Sequence, residues 1–365
     1  LHRVDRRQRQ MCIRDSMNTW HRIPILGLLS LLLAGCAAPS LRPDATAPYA
    51  TAELQALRAE ARHPRLFYMD VYRTESGEPA FTNAFRVYDE AIVELPFESP
   101  GSSLIPLIAL VGPRERRIVA LTDSSAPLSW APMDRRRALG LELLGPELFL
   151  QTPTHVPDDA TGAAAVLSEL YFGRLRMEMA LVYARAVRGS LWPLTRDPRA
   201  AEADLVLGAD ALRAFAWVQW DFPARRLVIG HGAAYAGPEE SRLAAVPLQK
   251  REGPLIVMGE MEGRAVPIVL DVAGDFELAM DRPAGEIVRQ LTIGDVIFRR
   301  LDVVAPATVG VASEPARLGR RALAPYRLTL DNRRRMVYLE RPTAPRTPAP
   351  PMHDEDMLDD LDDLP

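Results

Sequence analysis

Two aspartates, Asp123 and Asp271, occupy equivalent positions in an internal repeat. The tripeptide Pro-Leu-Ile begins 17 residues before each of them, at Pro106 and at Pro254. In both copies an apolar run that reads as a strand leads into the aspartate. A carboxyl group can accept or donate a proton in a reaction. A single aspartate at the end of a strand is usually a turn residue, but the equivalent placement of two makes this pair the main candidate for chemistry.

The repeat continues beyond the aspartates, and its landmarks keep their order. The matched pairs are Leu170–Leu175 with Leu291–Val296, Leu207-Gly208 with Leu318-Gly319, and the final turns around Asp221 and Asp331. Short runs rich in Val, Ile and Leu between turns predict an all-β protein. Helices are expected only at Thr51–Arg62, after Asp210 and after Arg320. Because an internal repeat determines architecture, the sequence predicts a duplicated unit with two lobes.

The repeated unit resembles one lobe of an aspartic peptidase, and it looks closer to the compact retropepsin-like lobe than to the elaborated pepsin lobe. The resemblance lies in a strand ending in Asp and small residues, a hairpin, an apolar-apolar-Gly sequence that begins a short helix, and a closing hairpin. Two such units, over about residues 90–342, resemble the pepsin-like arrangement. This resemblance implies an acid-protease fold with an interlobe cleft that takes extended polypeptide, no cofactor, and a monomer because both lobes are in one chain.

The resemblance also implies the chemistry of the pair. One aspartate comes from each lobe, and two close carboxylates share a proton because both cannot ionise. The ionised member, Asp123 or Asp271, can deprotonate a water while the protonated member donates to the scissile carbonyl.

The loops around the two aspartates depart from the family pattern of Asp, Thr or Ser, then Gly. The first copy reads Asp123-Ser124-Ser125-Ala126 and the second Asp271-Val272-Ala273-Gly274. The hydroxyl that bonds across to the opposite loop is therefore kept only at Ser124, since Val272 cannot donate. Ser125 and Ala273 stand where the family has a glycine close to both carboxylates. We expect Ser124, Ser125, Val272, Ala273 and Gly274 to support the pair.

These departures leave three functions open. The first is an endopeptidase. The second is a degenerate relative that binds peptides or partners without cleavage. The third is a purely structural role, in which the acidic residues at 354–363 are presented to a partner.

A flap that covers the substrate is predicted in the first lobe. The interval from Asp123 to Gly173 is 50 residues, against 23 from Asp271 to Gly294. Within the longer interval, the small residues of 157–165 are expected to form the flap, with Thr161, Gly162 and Ala163 contacting substrate. The second lobe is expected to lack a flap.

The N-terminal residues read as targeting sequence. Residues 1–16 resemble translated adaptor sequence ahead of Met17, and 17–35 read as an export signal. Its apolar stretch is about half the roughly 20 residues that a membrane-spanning helix requires. It ends in Leu33-Ala34-Gly35-Cys36, which resembles a bacterial lipobox. Lipidation of Cys36 would anchor the protein in the cell envelope facing the periplasm, with the outer membrane preferred. An ordinary signal peptide with an incidental cysteine is the alternative.

Composition disfavours several other classes. The formal net charge is −4, and seven of the ten residues 354–363 are acidic. The body is therefore near neutral without a basic stripe, which argues against nucleic-acid binding. The cysteines are Cys12 and Cys36, so the body has no disulfide, and its isolated histidines predict no metal site.

The predicted segments are a tether at 36–48, an N-terminal extension at 49–89, lobes at 90–236 and 237–342, and a disordered Pro-rich, acidic tail at 343–365.

Overall fold

The computed structural model describes residues 51–73, 79–99, 103–145, 149–150, 162–185, 203–249, 253–283, 285–309 and 315–342. The predicted adaptor sequence, export signal, lipidation site Cys36, tether residues, Thr161 and acidic tail lie outside these described residues. The described residues belong to one compact unit. Strands predominate over helices within the described ranges, so the all-β prediction is confirmed.

The N-terminal extension combines one helix with three short strands. Helix α1 (Thr51–Glu60) lies where the amphipathic pattern predicts it, and strands β1 (Val71–Arg73) and β2 (Pro79–Phe81) form an antiparallel pair. Strand β3 (Arg86–Tyr88) joins the main sheet of the first half. No helix among the described residues is long and apolar enough to cross a bilayer.

The remaining elements follow in two successive halves. The first half contains β4 (Ala91–Pro96), β5 (Leu107–Gly112), β6 (Arg116–Thr122), β7 (Trp130–Pro132), α2 (Arg136–Leu139), β8 (Glu142–Leu143), β9 (Phe149–Leu150), β10 (Gly162–Phe172), β11 (Leu175–Arg185), β12 (Leu205–Leu207), α3 (Ala209–Leu212), β13 (Trp217–Asp221) and β14 (Arg226–His231). The second half contains β15 (Arg242–Pro247), β16 (Ile256–Met261), β17 (Arg264–Asp271), β18 (Leu278–Ala279), β19 (Ile287–Ile293), β20 (Val296–Val304), β21 (Ala316–Gly319), α4 (Arg320–Leu323), β22 (Arg327–Asp331) and β23 (Met336–Glu340).

The strand pairings of the first half recur in the second. Strand β6 is antiparallel to β5 and parallel to β12, while β7 is antiparallel to β12 and parallel to β11, which forms a hairpin with β10. Correspondingly, β17 is antiparallel to β16 and parallel to β21, while β18 is antiparallel to β21 and parallel to β20, the hairpin partner of β19. In the second half these strands close into a six-stranded barrel. The landmarks matched in sequence thus carry matched pairings.

A six-stranded sheet joins the two halves, with the order β15-β23-β22-β13-β14-β4. Its central pair brings β13 of the first half against β22 of the second, with Gln219 opposite Thr329. Each half also contributes its closing hairpin and one outer strand, β4 or β15. The sheet therefore fixes the two halves relative to each other, and each half holds its candidate aspartate on a separate strand system.

Candidate functional site

The two candidate aspartates lie at the carboxyl ends of corresponding strands. Asp123 directly follows β6, and Asp271 is the last residue of β17. The backbone N–H of Asp123 donates to the Leu207 carbonyl at 2.9 Å, and Asp271 pairs with Gly319 in the parallel register of β17 and β21. Both side chains are buried, with 4% of Asp123 and 3% of Asp271 exposed. Such burial of two carboxyl groups is costly unless each has polar partners.

Each aspartate loop is held against the short helix that follows the matched Leu-Gly pair. The Ala209 N–H donates to the Ala126 carbonyl at 2.8 Å, and the Arg320 N–H donates to the Gly274 carbonyl at 2.9 Å. The glycines permit this close approach. A β-carbon at Gly208 would collide with the backbone of Leu128, and one at Gly319 would collide with Phe276, the residue at the matching position.

Backbone N–H groups satisfy one oxygen of each carboxylate. The N–H groups of Ser125 and Ala126 donate to Asp123 Oδ1 at 2.8 and 3.2 Å. The Gly274 N–H donates to Asp271 Oδ1 at 2.7 Å. Hydrogen bonds of this kind stabilise the ionised carboxylate. They also fix the orientation of each carboxyl group, because the backbone donors belong to tight loops.

The Ser124 side chain links the two loops from one side. Its hydroxyl donates to the Leu270 carbonyl at 2.6 Å and accepts from the Val272 N–H at 3.2 Å. The Leu255 N–H of the second half donates to the Ser124 carbonyl at 2.9 Å. Val272, at the matching position in the second loop, is a fully buried apolar residue. The link is therefore one-sided, as the loop sequences predict.

The two carboxyl groups influence each other electrostatically. Burial, followed by the negative charge of Asp123, raises the pKa of Asp271 to about 6. Burial also raises the pKa of Asp123 above its ordinary value of 3.8. The nearby Ser125 hydroxyl lowers the pKa of both groups. Ser124, the neighbour of Asp123, bonds to the backbone on either side of Asp271, so the repeat brings the two aspartates to one site.

A third charged residue, Arg317, lies in the same site. Its Nη1 is 4.0 Å from Asp271 Oδ2, and the side chain is 8% exposed. Its positive charge lowers the pKa of both aspartates. The sequence comparison did not single out Arg317. The available signal was its position two residues before Gly319, where the first copy has the apolar Val206 before Gly208.

The remaining predicted site residues lie in different surroundings. Ala273 packs in an apolar cluster with Ile105, Leu107, Leu121, Trp130, Tyr183, Ala203 and Val206. Gly162 and Ala163 were expected in a flexible flap, but they are buried at the start of β10. They pair there with Arg185 and Ala184 of β11 and with β9. Neither residue is in an exposed loop, and Thr161 and Cys36 fall outside the described residues.

Nothing in the described ranges has the composition of a metal centre, since they contain no group of three or more His, Cys, Asp or Glu side chains placed to hold an ion. The site consists of two carboxyl groups, a serine-rich loop and one guanidinium. Those groups can exchange protons and bind polar atoms of a ligand.

No protein-family model matches the sequence, and a search of the curated proteins finds no match. The function is therefore argued from the residues of the site.

Proposed function

We propose that the protein is an aspartic endopeptidase with a two-lobed, retropepsin-like or pepsin-like acid-protease fold. The observation that carries the proposal is the pair of buried aspartates, Asp123 and Asp271, at matched positions of two halves with matched strand pairings. Both carboxyl groups are buried, and the Ser124 hydroxyl bonds across from one loop to the other. Two buried carboxylates held close together share one proton, and these contacts support such a pair here.

The proposed reaction uses the pair as acid and base. Because burial and the charge of Asp123 raise the pKa of Asp271 to about 6, one proton is retained by the pair in mildly acidic solution. The ionised carboxylate takes a proton from a water molecule, which attacks the carbonyl carbon of the peptide bond. The protonated carboxyl group donates to the carbonyl oxygen. The carboxyl group that took the proton from water then passes it to the leaving nitrogen, while the other carboxylate takes a proton from a hydroxyl of the tetrahedral intermediate. The C–N bond breaks, the amine and the new carboxylic acid are released, and the pair again holds one proton.

Peptide cleavage by single-residue variants tests the proposal. The purified chain is incubated with a mixed-sequence peptide library from about pH 3 to about pH 8, and products are identified by mass spectrometry. Asp123→Asn and Asp271→Asn each remove one titratable group, so we expect cleavage to fall about 100-fold or more in either variant. Asp281→Asn is the matched control, because Asp281 is exposed. Retained cleavage in a folded Asp123→Asn protein would contradict the proposal.

A second candidate function is peptide binding without cleavage. It is favoured by Ser125, whose hydroxyl interacts with both carboxyl groups where the family has a glycine. A hydroxyl there competes with a water molecule for the same oxygen atoms. The library experiment separates the two functions, since this alternative requires peptides to bind and to remain intact at every pH.

We further propose that Cys36 carries a lipid that anchors the chain in a bacterial envelope membrane. The support is the sequence Leu33-Ala34-Gly35-Cys36 after a short apolar stretch. A chain expressed in a bacterium with a labelled fatty acid is expected to incorporate the label and to sediment with membranes. Cys36→Ala is expected to lose the label, and labelling of that variant would refute the assignment.

A further inference from the structure

One cross-strand row of residues crosses five matched strands in each half. In each half the row contains the residue two positions before the aspartate, which is Leu121 or Val269. Because side chains two residues apart on a strand point to the same face, the row lies on the face of the sheet that carries the aspartate. The row in the first half is Leu107, Leu121, Val206, Trp130 and Tyr183. The row in the second half is Ile256, Val269, Arg317, Ala279 and Val304.

The row in the first half forms an apolar surface beside the paired carboxyl groups. All five of its side chains are buried in one cluster. The same cluster includes Ala273, two residues after Asp271, and has partly buried Ala126 packed against it. This row therefore reaches the loop of the opposite half, and it contains no charged residue.

Arg317 is the one charged residue in the corresponding row of the second half. Its neighbours in the register are Val269 and Ala279, whose side chains cannot accept a hydrogen bond. The side chain of Arg317 is almost fully buried, and its Nε makes no hydrogen bond to any described residue. The nearest described carboxylate oxygen, on Asp271, is 4.0 Å from Nη1, which is longer than a hydrogen bond.

A guanidinium in such surroundings can bind an anion. A charged group that is buried loses its hydrogen bonds to water, which is unfavourable unless other partners replace them. A bound anion would supply those hydrogen bonds. The planar guanidinium matches a carboxylate, which can accept two parallel hydrogen bonds from it. In the proposed function the two aspartates share one proton, so Asp271 then offers Arg317 less than a full negative charge.

We propose that Arg317 is a specificity-determining residue that binds a carboxylate of the polypeptide next to the bond held at Asp123 and Asp271. This inference rests on the proposed function for its ligand class. The carboxylate can come from an acidic side chain beside that bond or from the C-terminus of a short peptide. Both sources present the same group to Arg317.

The test compares matched peptides that share one core sequence. One set carries Glu, and another Gln, on either side of the scissile bond, all with amidated C-termini. A third set keeps Gln and has a free C-terminal carboxylate one or two residues after the bond. We expect the chain to cleave one carboxylate set at least about ten-fold faster than the neutral set, since hydrogen bonds between charged groups are the strong ones. The set that is preferred identifies the source.

Variants of Arg317 assign that preference to the residue. Arg317→Val, which copies Val206 of the first half, and the neutral, longer Arg317→Gln are both expected to lose the preference. The preference is measured within each variant as the ratio of cleavage of carboxylate to neutral peptides, because loss of the positive charge also raises the pKa of both aspartates and changes the overall rate. Arg317→Lys keeps the charge without the planar fork and should retain part of it. Arg289→Val removes an exposed arginine from β19 and serves as the charge-matched control. A preference that persists in both neutral variants, or that is absent from the unaltered chain, overturns the proposal.

Binding of uncleavable peptides separates this inference from the proposed function. The same sets are made with a reduced-amide bond at the scissile position, and their affinity is measured by calorimetry. If nothing is cleaved but carboxylate peptides bind at least about ten-fold more tightly through Arg317, the peptidase proposal fails and this inference holds. Equal binding of all sets, or no binding of any, overturns the inference whether or not cleavage is seen.

Discussion

At the scale of single residues, the Ser124 hydroxyl joins the two aspartate loops. It has two backbone partners, the Leu270 carbonyl and the Val272 N–H, and it is fully buried. Ser124→Ala leaves both groups without this partner, so we expect the free energy of unfolding to fall by about 1–3 kcal/mol. Urea denaturation of the variant and the unaltered chain measures this difference.

A second variant at the same position provides the control. Ser124→Thr keeps the hydroxyl that bonds to Leu270 and is expected to retain most of the stability and any cleavage. Equal stability of the alanine variant and the unaltered chain would show that the hydroxyl contributes nothing to joining the loops.

The sequence predicts Asp123 and Asp271 but not Arg317, and the reason is physical. An internal repeat marks equivalent positions whatever their surroundings, so two aspartates 17 residues after the same tripeptide stand out. An arginine in a short strand reads as a solvent-exposed residue, because arginine is seldom buried. Only the register of β21 between β17 and β18 reveals that Arg317 lies on the face of the carboxyl groups.

At the scale of elements, apolar runs predict the strands well, but the flap prediction shows a limit. The small residues near Gly162 predict a flexible flap. In the structure a β-carbon at Gly162 would lie 2.6 Å from the Ala184 carbonyl oxygen and 2.7 Å from the Tyr183 hydroxyl oxygen. Small residues are required there because β10 packs closely against β11. Composition alone cannot distinguish close packing from mobility, since both favour Gly and Ala.

The pairing of distant strands is also beyond local sequence pattern. The parallel pair β6 and β12 is joined by most of the first half, and its register places Leu121 beside Val206. Such pairing depends on the whole sheet, whereas an apolar run specifies only that a strand forms. The internal repeat supplies part of the missing information, because the strand pairings of one half are expected to recur in the other half.

The six-stranded sheet carries a buried polar cluster at the junction of the two halves. The Gln219 side-chain nitrogen donates to Thr329 Oγ1 at 2.8 Å, and the Tyr235 hydroxyl lies 2.6 and 2.8 Å from the two Glu340 carboxylate oxygens. Glu340 is fully buried, so these contacts satisfy a group that would otherwise oppose folding. Hydrogen bonds have defined directions, and this cluster therefore fixes the register between β13 and β22.

That sheet is connected directly to the first aspartate loop. The Trp220 indole N–H, on β13, donates to Thr122 Oγ1 at 2.9 Å, and Thr122 precedes Asp123. The junction of the two halves thus contacts the strand that delivers one carboxyl group. The geometry of the pair depends on this sheet as well as on the loops themselves.

At the scale of the whole molecule, buried carboxyl groups make stability depend on pH. Burial and the charge of Asp123 raise the pKa of Asp271 to about 6. Burial raises the pKa of Asp210, at the start of α3, to about 6 as well, against hydrogen bonds from Ser129. The unfolded chain has the ordinary aspartate pKa of 3.8, so the folded protein holds more protons between these values.

The sign of the pH dependence follows from this difference. The contribution of Asp210 and Asp271 to the free energy of unfolding is fully present below pH 3.8 and is lost as pH rises through about 6. On this account the free energy of unfolding falls as pH increases across that window, by about 1.4 kcal/mol per pH unit for each proton that the folded protein holds in excess. Urea denaturation at a series of pH values measures the slope.

Asp210→Asn removes one of these groups and leaves the pair Asp123 and Asp271 intact. The variant is expected to be less stable, because its amide cannot accept all the hydrogen bonds from Ser129. The slope of its free energy of unfolding against pH should become smaller across the window, by the amount that corresponds to about one excess proton. The exposed Asp281→Asn should leave the slope unchanged. An unaltered slope in Asp210→Asn, or stability that increases with pH between 3.8 and about 6, would show that burial does not hold protons on these groups. Among the described carboxyl groups with a raised pKa, Asp123 and Asp271 remain in this variant, so a slope that is reduced but still present reports on the proposed active site without a substrate.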